Sequence, residues 1–199
     1  MPFDSLPGPL RSPLLMNPSD TLLLIIDVQE RLWPKIHRNE EMLPRVAMLI
    51  DAAKILGIRV ITTEQYPKGL GPTIEAVANR IEQPITKTAF SAGIEPAVLK
   101  ELDPLSIRKI LVVGVEAHVC VQQTALDLLA SGFQVYIAVD AVSSRRPLDA
   151  EIAIRRMASA GIVLTTAESA VFEWTKLAGT AEFKQISELI KSIPVSDNE

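Results

Sequence analysis

Six short apolar runs, separated by stretches with helical spacing, constrain this chain more than any other feature. The runs are "TLLLIID" (21–27), "IRVITT" (58–63), "PITKT" (84–88), "KILVVGV" (109–115), "FQVYIAVD" (133–140) and "IVLTT" (162–166). The first is a near-continuous apolar stretch, which fits a strand buried on both faces better than a half-solvated one. Between the runs the period changes. Leu43, Val46, Ala47, Ile50 and Ala53 fall on one face of a helix that ends at Gly57. Residues 73–82 and 94–102 read as shorter helices, and 119–131 as an amphipathic one with Val121, Ala125, Leu128 and Leu129 on its apolar side. Pro147 opens a helix that runs to Ala160 and stops at Gly161, and 167–175 and 180–192 close the chain as helices. The alternation predicts one α/β domain: a Rossmann-like, three-layer α/β/α arrangement around a six-stranded parallel sheet, with right-handed crossovers.

Bulk properties narrow the function classes. A chain of 199 residues with 48% apolar and 22% charged residues suits a single well-cored domain and not a disordered one. The net charge of −4 lacks the basic footprint of a nucleic-acid binder, so no nucleic-acid partner is expected. No run approaches the ~18 apolar residues of a membrane span, so no membrane partner is expected either. Residues 1–19 contain five prolines and a single basic residue, Arg11. They read as a Pro-rich arm and not as a signal peptide, with residues 20–199 forming the domain. Such an arm either packs on a neighbouring subunit or is a loosely ordered terminus. A lone cysteine, Cys120, cannot form an internal disulfide, which favours a reducing compartment, most simply the cytoplasm.

In parallel α/β sheets the site lies beyond the carboxyl ends of the strands. Asp27 ends the first run, Lys87 lies near the end of the third, and Asp140 ends the fifth. The fourth runs through Gly114 into the loop that delivers Cys120 to a helix start. An ordinary thiol has a pKa near ~8.5 and is mostly protonated at neutral pH. A helix N-terminus and the Lys87 ammonium would stabilise its thiolate, and Asp27 would accept its proton and return it to a leaving group. Spacing alone leaves the plainer readings open. A lone cysteine on an apolar helix face is more often a small core residue, a strand-end aspartate caps turns, and edge strands carry lysines.

The motifs themselves go further. "LLLIIDVQERL", "ITTEQYPKGLGPT", "ITKTAFSA" and "LVVGVEAHVCVQQTALDLLASGFQVYIAVDAVSSR" resemble the isochorismatase-like (cysteine hydrolase) superfamily over roughly residues 20–175, in its isochorismatase-domain-containing branch. The resemblance implies Cys120 of "GVEAHVCV" as nucleophile, Asp27 of "DVQ" as acid–base, and Lys87 of "KTAF" as the third catalytic residue. It also implies a non-proline cis peptide at Val115–Glu116. That bond would turn the Glu116 N–H, beside the N–H of Cys120, toward an oxyanion. True isochorismatases lack the cysteine, so its presence points to hydrolysis of an amide-type C–N bond in a small-molecule substrate. The histidines that hold a metal in nicotinamidases have no counterpart in "TTEQYPKGLGP", so neither a metal nor another cofactor is expected. A homo-oligomer, a dimer or larger, is also implied.

Candidate substrate contacts are Phe90, Trp33, Tyr66, Gln29 and His118, with Leu70 a further candidate pocket wall. Gln65 is a further hydrogen-bonding candidate near Asp27, and Lys87 is expected to hold down the thiol pKa. His118 reads as a loop-orienting residue first. His37 reads as a surface loop residue, Asp140 as an anchor for the sheet's end, and Arg145 and Arg146 as solvated or subunit-facing. Two other classes stay open: a non-catalytic binding or scaffold protein that keeps the fold, and a redox-sensing thiol.

Overall fold

The protein is described by a computed structural model over residues 11–102 and 106–193. Strand β1 (Thr21–Ile26) lies inside the sheet, and all six of its residues are buried, as the unbroken apolar run requires. It is flanked by β2 (Arg59–Gln65) and by β4 (Lys109–Val115). Beyond β2 lies the three-residue β3 (Ile85–Lys87), and beyond β4 lie β5 (Gln134–Ser143) and β6 (Val163–Thr165). All pairings are parallel, in the order β3-β2-β1-β4-β5-β6. The chain therefore forms the single Rossmann-like, three-layer α/β/α domain that the alternation predicts.

Strand alternation divides the core in two. Leu23, Ile25, Leu111, Val113 and Tyr136 face α1 (Asn39–Ile55), α3 (Glu75–Ala78), α7 (Ala167–Thr175) and α8 (Ala181–Lys191). Leu22, Leu24, Ile26, Ile110 and Val112 face α4 (Pro96–Glu101), α5 (Gln122–Ala130) and α6 (Pro147–Ser159). Helix ends follow local chemistry. Thr166 and Thr180 cap α7 and α8 through their side chains. Gly57 follows α1 in a left-handed conformation, and the next amide, Ile58 N, returns to Ala53 O at 2.8 Å.

Several boundaries differ from expectation. The helix expected over 73–82 shortens to α3, because the Thr73 amide and hydroxyl both bond Glu64 Oε1 and Thr73 bridges to Gln29. Strand β5 runs on to Ser143, past the register shift opposite Val112 and Gly114. The helix expected from 119 begins earlier, as a π-turn over Ala117–Val121 that leads into α5. Of the Pro-rich arm, residues 1–10 lie outside the described residues. Residues 11–19 lie against their own chain: Met16 is fully buried, its N–H bonds Glu173 Oε2 at 2.7 Å, and Tyr136 donates to Leu14 O at 2.6 Å.

Among the described residues no helix is long and apolar enough to cross a membrane. The short α2 (Pro67–Leu70) completes the loop after β2.

Candidate active site

The two central strands end side by side, and their tight contact sets the site. Gly114 of β4 has φ +131°, and a Cβ there would stand 2.2 Å from the Ile26 carbonyl oxygen. No side chain fits, so β4 approaches β1 closely just where Asp27 leaves the sheet. Asp27 itself is left-handed, at φ 55°, and its N–H bonds the Thr63 carbonyl of β2 at 3.2 Å. The turn is costly for a non-glycine residue and directs the carboxylate beneath the loop that follows β4.

That carboxylate is fully buried and held at both oxygens. Lys87 Nζ donates to Oδ2 at 2.7 Å and Thr63 Oγ1 to Oδ1 at 2.8 Å. Register explains the meeting: Ile26 pairs with Thr63, and Gln65 pairs with Lys87. The Lys87 ammonium also reaches Gln65 Oε1 at 2.7 Å, Phe90 O at 3.1 Å and Ala89 O at 3.3 Å. A lysine has three N–H donors, so the four acceptors saturate it. Gln65 is fixed in turn by donating to Thr88 O at 2.8 Å.

Cys120 lies on the π-turn with 5% of its surface exposed, close enough to Asp27 and Lys87 for both to act on the charge of its thiol. The structure thus brings together the three residues named from sequence. It reverses the expected electrostatics. Burial first, and the Asp27 carboxylate second, push the Cys120 thiol up to about 12, and the Lys87 ammonium opposes this without overcoming it. The resting thiol is protonated, with a carboxylate beside it to take the proton. Cys120 should therefore alkylate slowly at pH 7. Its rate should climb about tenfold per pH unit well beyond the ~8.5 at which an ordinary thiol levels off. Iodoacetamide labelling followed by mass spectrometry checks this, and a plateau below pH 8 would contradict it.

Other candidates sort differently. Gln29 is fully buried and its amide is committed to the main chain: it donates to Gly71 O at 2.7 Å and Gln65 O at 3.1 Å, and accepts from Gln65 N at 2.8 Å. It clamps the loop after β2, which corrects its reading as a substrate contact. Trp33 packs at the border of the first core cluster. Phe90 and Tyr66 are exposed, with Phe90 next to the carbonyls that receive Lys87.

The Val115–Glu116 peptide is trans, since the described residues contain no cis bond. Glu116 instead takes a left-handed conformation at φ 56° before the π-turn, whose first N–H groups and that of Cys120 are the available oxyanion donors. Asp140 accepts from the Ala167 amide at 2.8 Å and caps α7. Thr63 was not singled out in the sequence, although it holds half of the Asp27 carboxylate. Among the described residues no group of three or more His, Cys, Asp or Glu side chains is placed to hold a metal ion.

Comparison with known proteins finds relatives over most of the chain. The profile of the isochorismatase domain family matches residues 21–169. Isochorismatase domain-containing protein 2A of Mus musculus is 38% identical over 182 residues, covering 91% of this chain and 87% of that protein. Isochorismatase domain-containing protein 1 of Salmo salar is 40% identical over 178 residues, covering 88% of this chain but 62% of the salmon protein. The structure of the MAR1 ribonuclease from Caenorhabditis elegans superposes with a TM-score of 0.85 at 38% identity, covering 93% of this chain and 97% of the other. This last likeness overturns the exclusion of a nucleic-acid partner. A net charge of −4 is a sum over the whole chain, whereas recognition depends on local groups.

Proposed function

The chain belongs to the isochorismatase family, and we propose that it is a cysteine hydrolase that cleaves an amide-type C–N bond of a small molecule through a thioester on Cys120. The observation that carries this reading is the buried Lys87–Asp27 contact of 2.7 Å beside the family's cysteine. A buried ion pair is a poor way to stabilise a fold, and buried charges packed around a nucleophile are typical of catalytic sites.

The high thiol pKa sets the order of events. Cys120 meets substrate as the neutral thiol, and Asp27 takes its proton as sulfur attacks the carbonyl carbon. The first N–H groups of the π-turn and that of Cys120 receive the oxyanion. The C–N bond breaks as Asp27 returns the proton to the amine, leaving an acyl thioester. Asp27 then activates water, and the acid departs. Lys87, saturated with acceptors, orients the carboxylate and offsets its charge. No cofactor enters this route.

Half-exposed Phe90 and exposed Ile94, Leu148 and Ile152 support a second copy of the chain covering apolar surface, in a homo-oligomer. A thiol that must stay reduced fits a reducing compartment such as the cytoplasm.

The test is a panel of small amides and imides, quenched in acid during turnover. An acyl mass on the Cys120 peptide is expected, and turnover with no such adduct would remove the thioester route. A second reading, an RNA-acting protein, is favoured by the likeness to the Caenorhabditis elegans ribonuclease. Titration of a fluorescent single-stranded RNA tests it, with saturable binding expected.

A further inference from the structure

The π-turn that carries the thiol also carries polar side chains that the thioester route leaves unused. His118 Nδ1 lies 3.0 Å from Ser144 Oγ and 3.3 Å from Glu116 Oε2. Glu116 Oε1 lies 2.6 Å from Arg145 Nε. The Glu116 side chain is only 8% exposed, yet among the described residues neither of its carboxylate oxygens has an aligned hydrogen-bond donor, so the contacts are ionic. His118 Nε2 points toward Asp149, with Oδ2 at 3.9 Å. His118, Arg145, Arg146 and Asp149 line a cavity of about 440 Å³.

Two costs coincide here. Glu116 is a left-handed non-glycine residue, and its carboxylate is buried without aligned donors. The left-handed turn also follows β1 at Asp27 and β2 at Tyr66, so it is the buried carboxylate without aligned donors that sets this turn apart. What the two costs achieve is an ordered array. A carboxylate and a hydroxyl behind Nδ1 fix the imidazole so that Nε2 faces the cavity. Two guanidinium groups beside it fit the oxygens of a phosphodiester. A second carboxylate, Asp149, stands 3.9 Å from Nε2, too far for a direct hydrogen bond but on the same cavity wall, where it serves as the second proton-transfer group. The lining is mixed in charge, which suits acid–base chemistry on a monoanionic group better than simple anion storage.

We propose that this cavity is a second catalytic centre, distinct from the thiol, that cleaves RNA by attack of a 2′-hydroxyl on the adjacent phosphodiester; the proposal rests on the RNA reading above. Asp149 takes the 2′-hydroxyl proton and the 2′-oxygen bonds to phosphorus. The P–O5′ bond breaks, and the 5′-oxygen leaves with a proton from Nε2 of the protonated His118 imidazole. The products are a 2′,3′-cyclic phosphate and a 5′-hydroxyl, and a proton passed from Asp149 to His118 through water closes the cycle. Arg145 and Arg146 hold the non-bridging oxygens. The location suits a polymer: Asp27 and Lys87 are fully enclosed, whereas the Arg145 side chain is 56% exposed.

The experiment uses the full chain with a short single-stranded RNA and its all-2′-deoxy counterpart. The wild type should cut the RNA to 2′,3′-cyclic ends and leave the deoxy strand intact. His118→Ala and Asp149→Asn should each slow cleavage by roughly 10²–10⁴-fold. Arg145→Met and Arg146→Met should mainly raise the half-saturating RNA concentration. His118→Gln, with its melting curve, serves where the alanine variant folds poorly. RNA cleavage that survives loss of His118 but requires Cys120, or binding without any cleavage, would overturn the centre and leave the RNA reading standing. A wild type that neither binds nor cuts RNA would overturn both.

Discussion

Cys120→Ala should reduce turnover of any accepted amide or imide to background, a loss on the order of 10³-fold or more, while the protein keeps its fold. The loss follows from how the neighbours are held. Asp27 has Thr63 on one oxygen and Lys87 on the other, and Lys87 is saturated by Asp27, Gln65 and two carbonyls. Neither group is free to take over as nucleophile. The fold survives because the thiol sits at the edge of an apolar cluster with Ala117, Val121 and Ala125, where losing one sulfur atom costs about 1 kcal/mol. Initial rates and thermal melts on the same preparation separate the two effects. An alanine variant that turns over at the wild-type rate would end the nucleophile assignment. A variant that loses turnover yet keeps all partner binding would separate the catalytic role from any scaffold role.

How much of this could be read from residues alone depends on whether a feature is local. The strand ends were legible. A six-residue run that breaks at Asp27, and another that breaks at Gly114 before Cys120, mark two neighbouring carboxyl edges without any coordinates. The chemistry between those edges was not. Thr62 and Thr63 are identical neighbours, and only the pairing of Ile26 with Thr63 turns one hydroxyl onto Asp27 while the other, buried, finds no partner among the described residues. Gln29 and Gln65 look interchangeable as polar loop residues. Their division into a main-chain clamp and a lysine anchor depends on where the loop after β2 folds back. The direction of the thiol pKa was the sharpest miss. A helix start and a lysine are visible in sequence and both lower it. Burial belongs to the whole packed domain, and here it wins. The exclusion of nucleic acid, overturned by the likeness to a ribonuclease structure, failed for a related reason, since total charge says nothing about how charged groups are distributed.

The second large effect concerns Lys87. Lys87→Met should destabilise the protein by about 3–5 kcal/mol, because it leaves the Asp27 carboxylate enclosed with Thr63 as its remaining side-chain donor. Methionine nearly matches the lysine stem in length, so the loss reports charge and hydrogen bonding more than volume. Adding Asp27→Leu should recover most of it, since replacing both members of a buried pair by apolar groups is often neutral or better. Urea titrations of the wild type, the two single variants and the double variant close the cycle, with the midpoint shifting at constant slope. If the double variant is as stable as the wild type, the pair contributes nothing to stability that two apolar side chains could not supply, and its presence beside a thiol needs a chemical reason. If the double variant remains several kcal/mol weaker, the pair is structural, and the 2.7 Å contact loses its force as an argument for catalysis. The same four proteins measured for amide turnover decide what the contact is for. A stable double variant with no activity is the result expected of a site that tolerates buried charge because the reaction requires it.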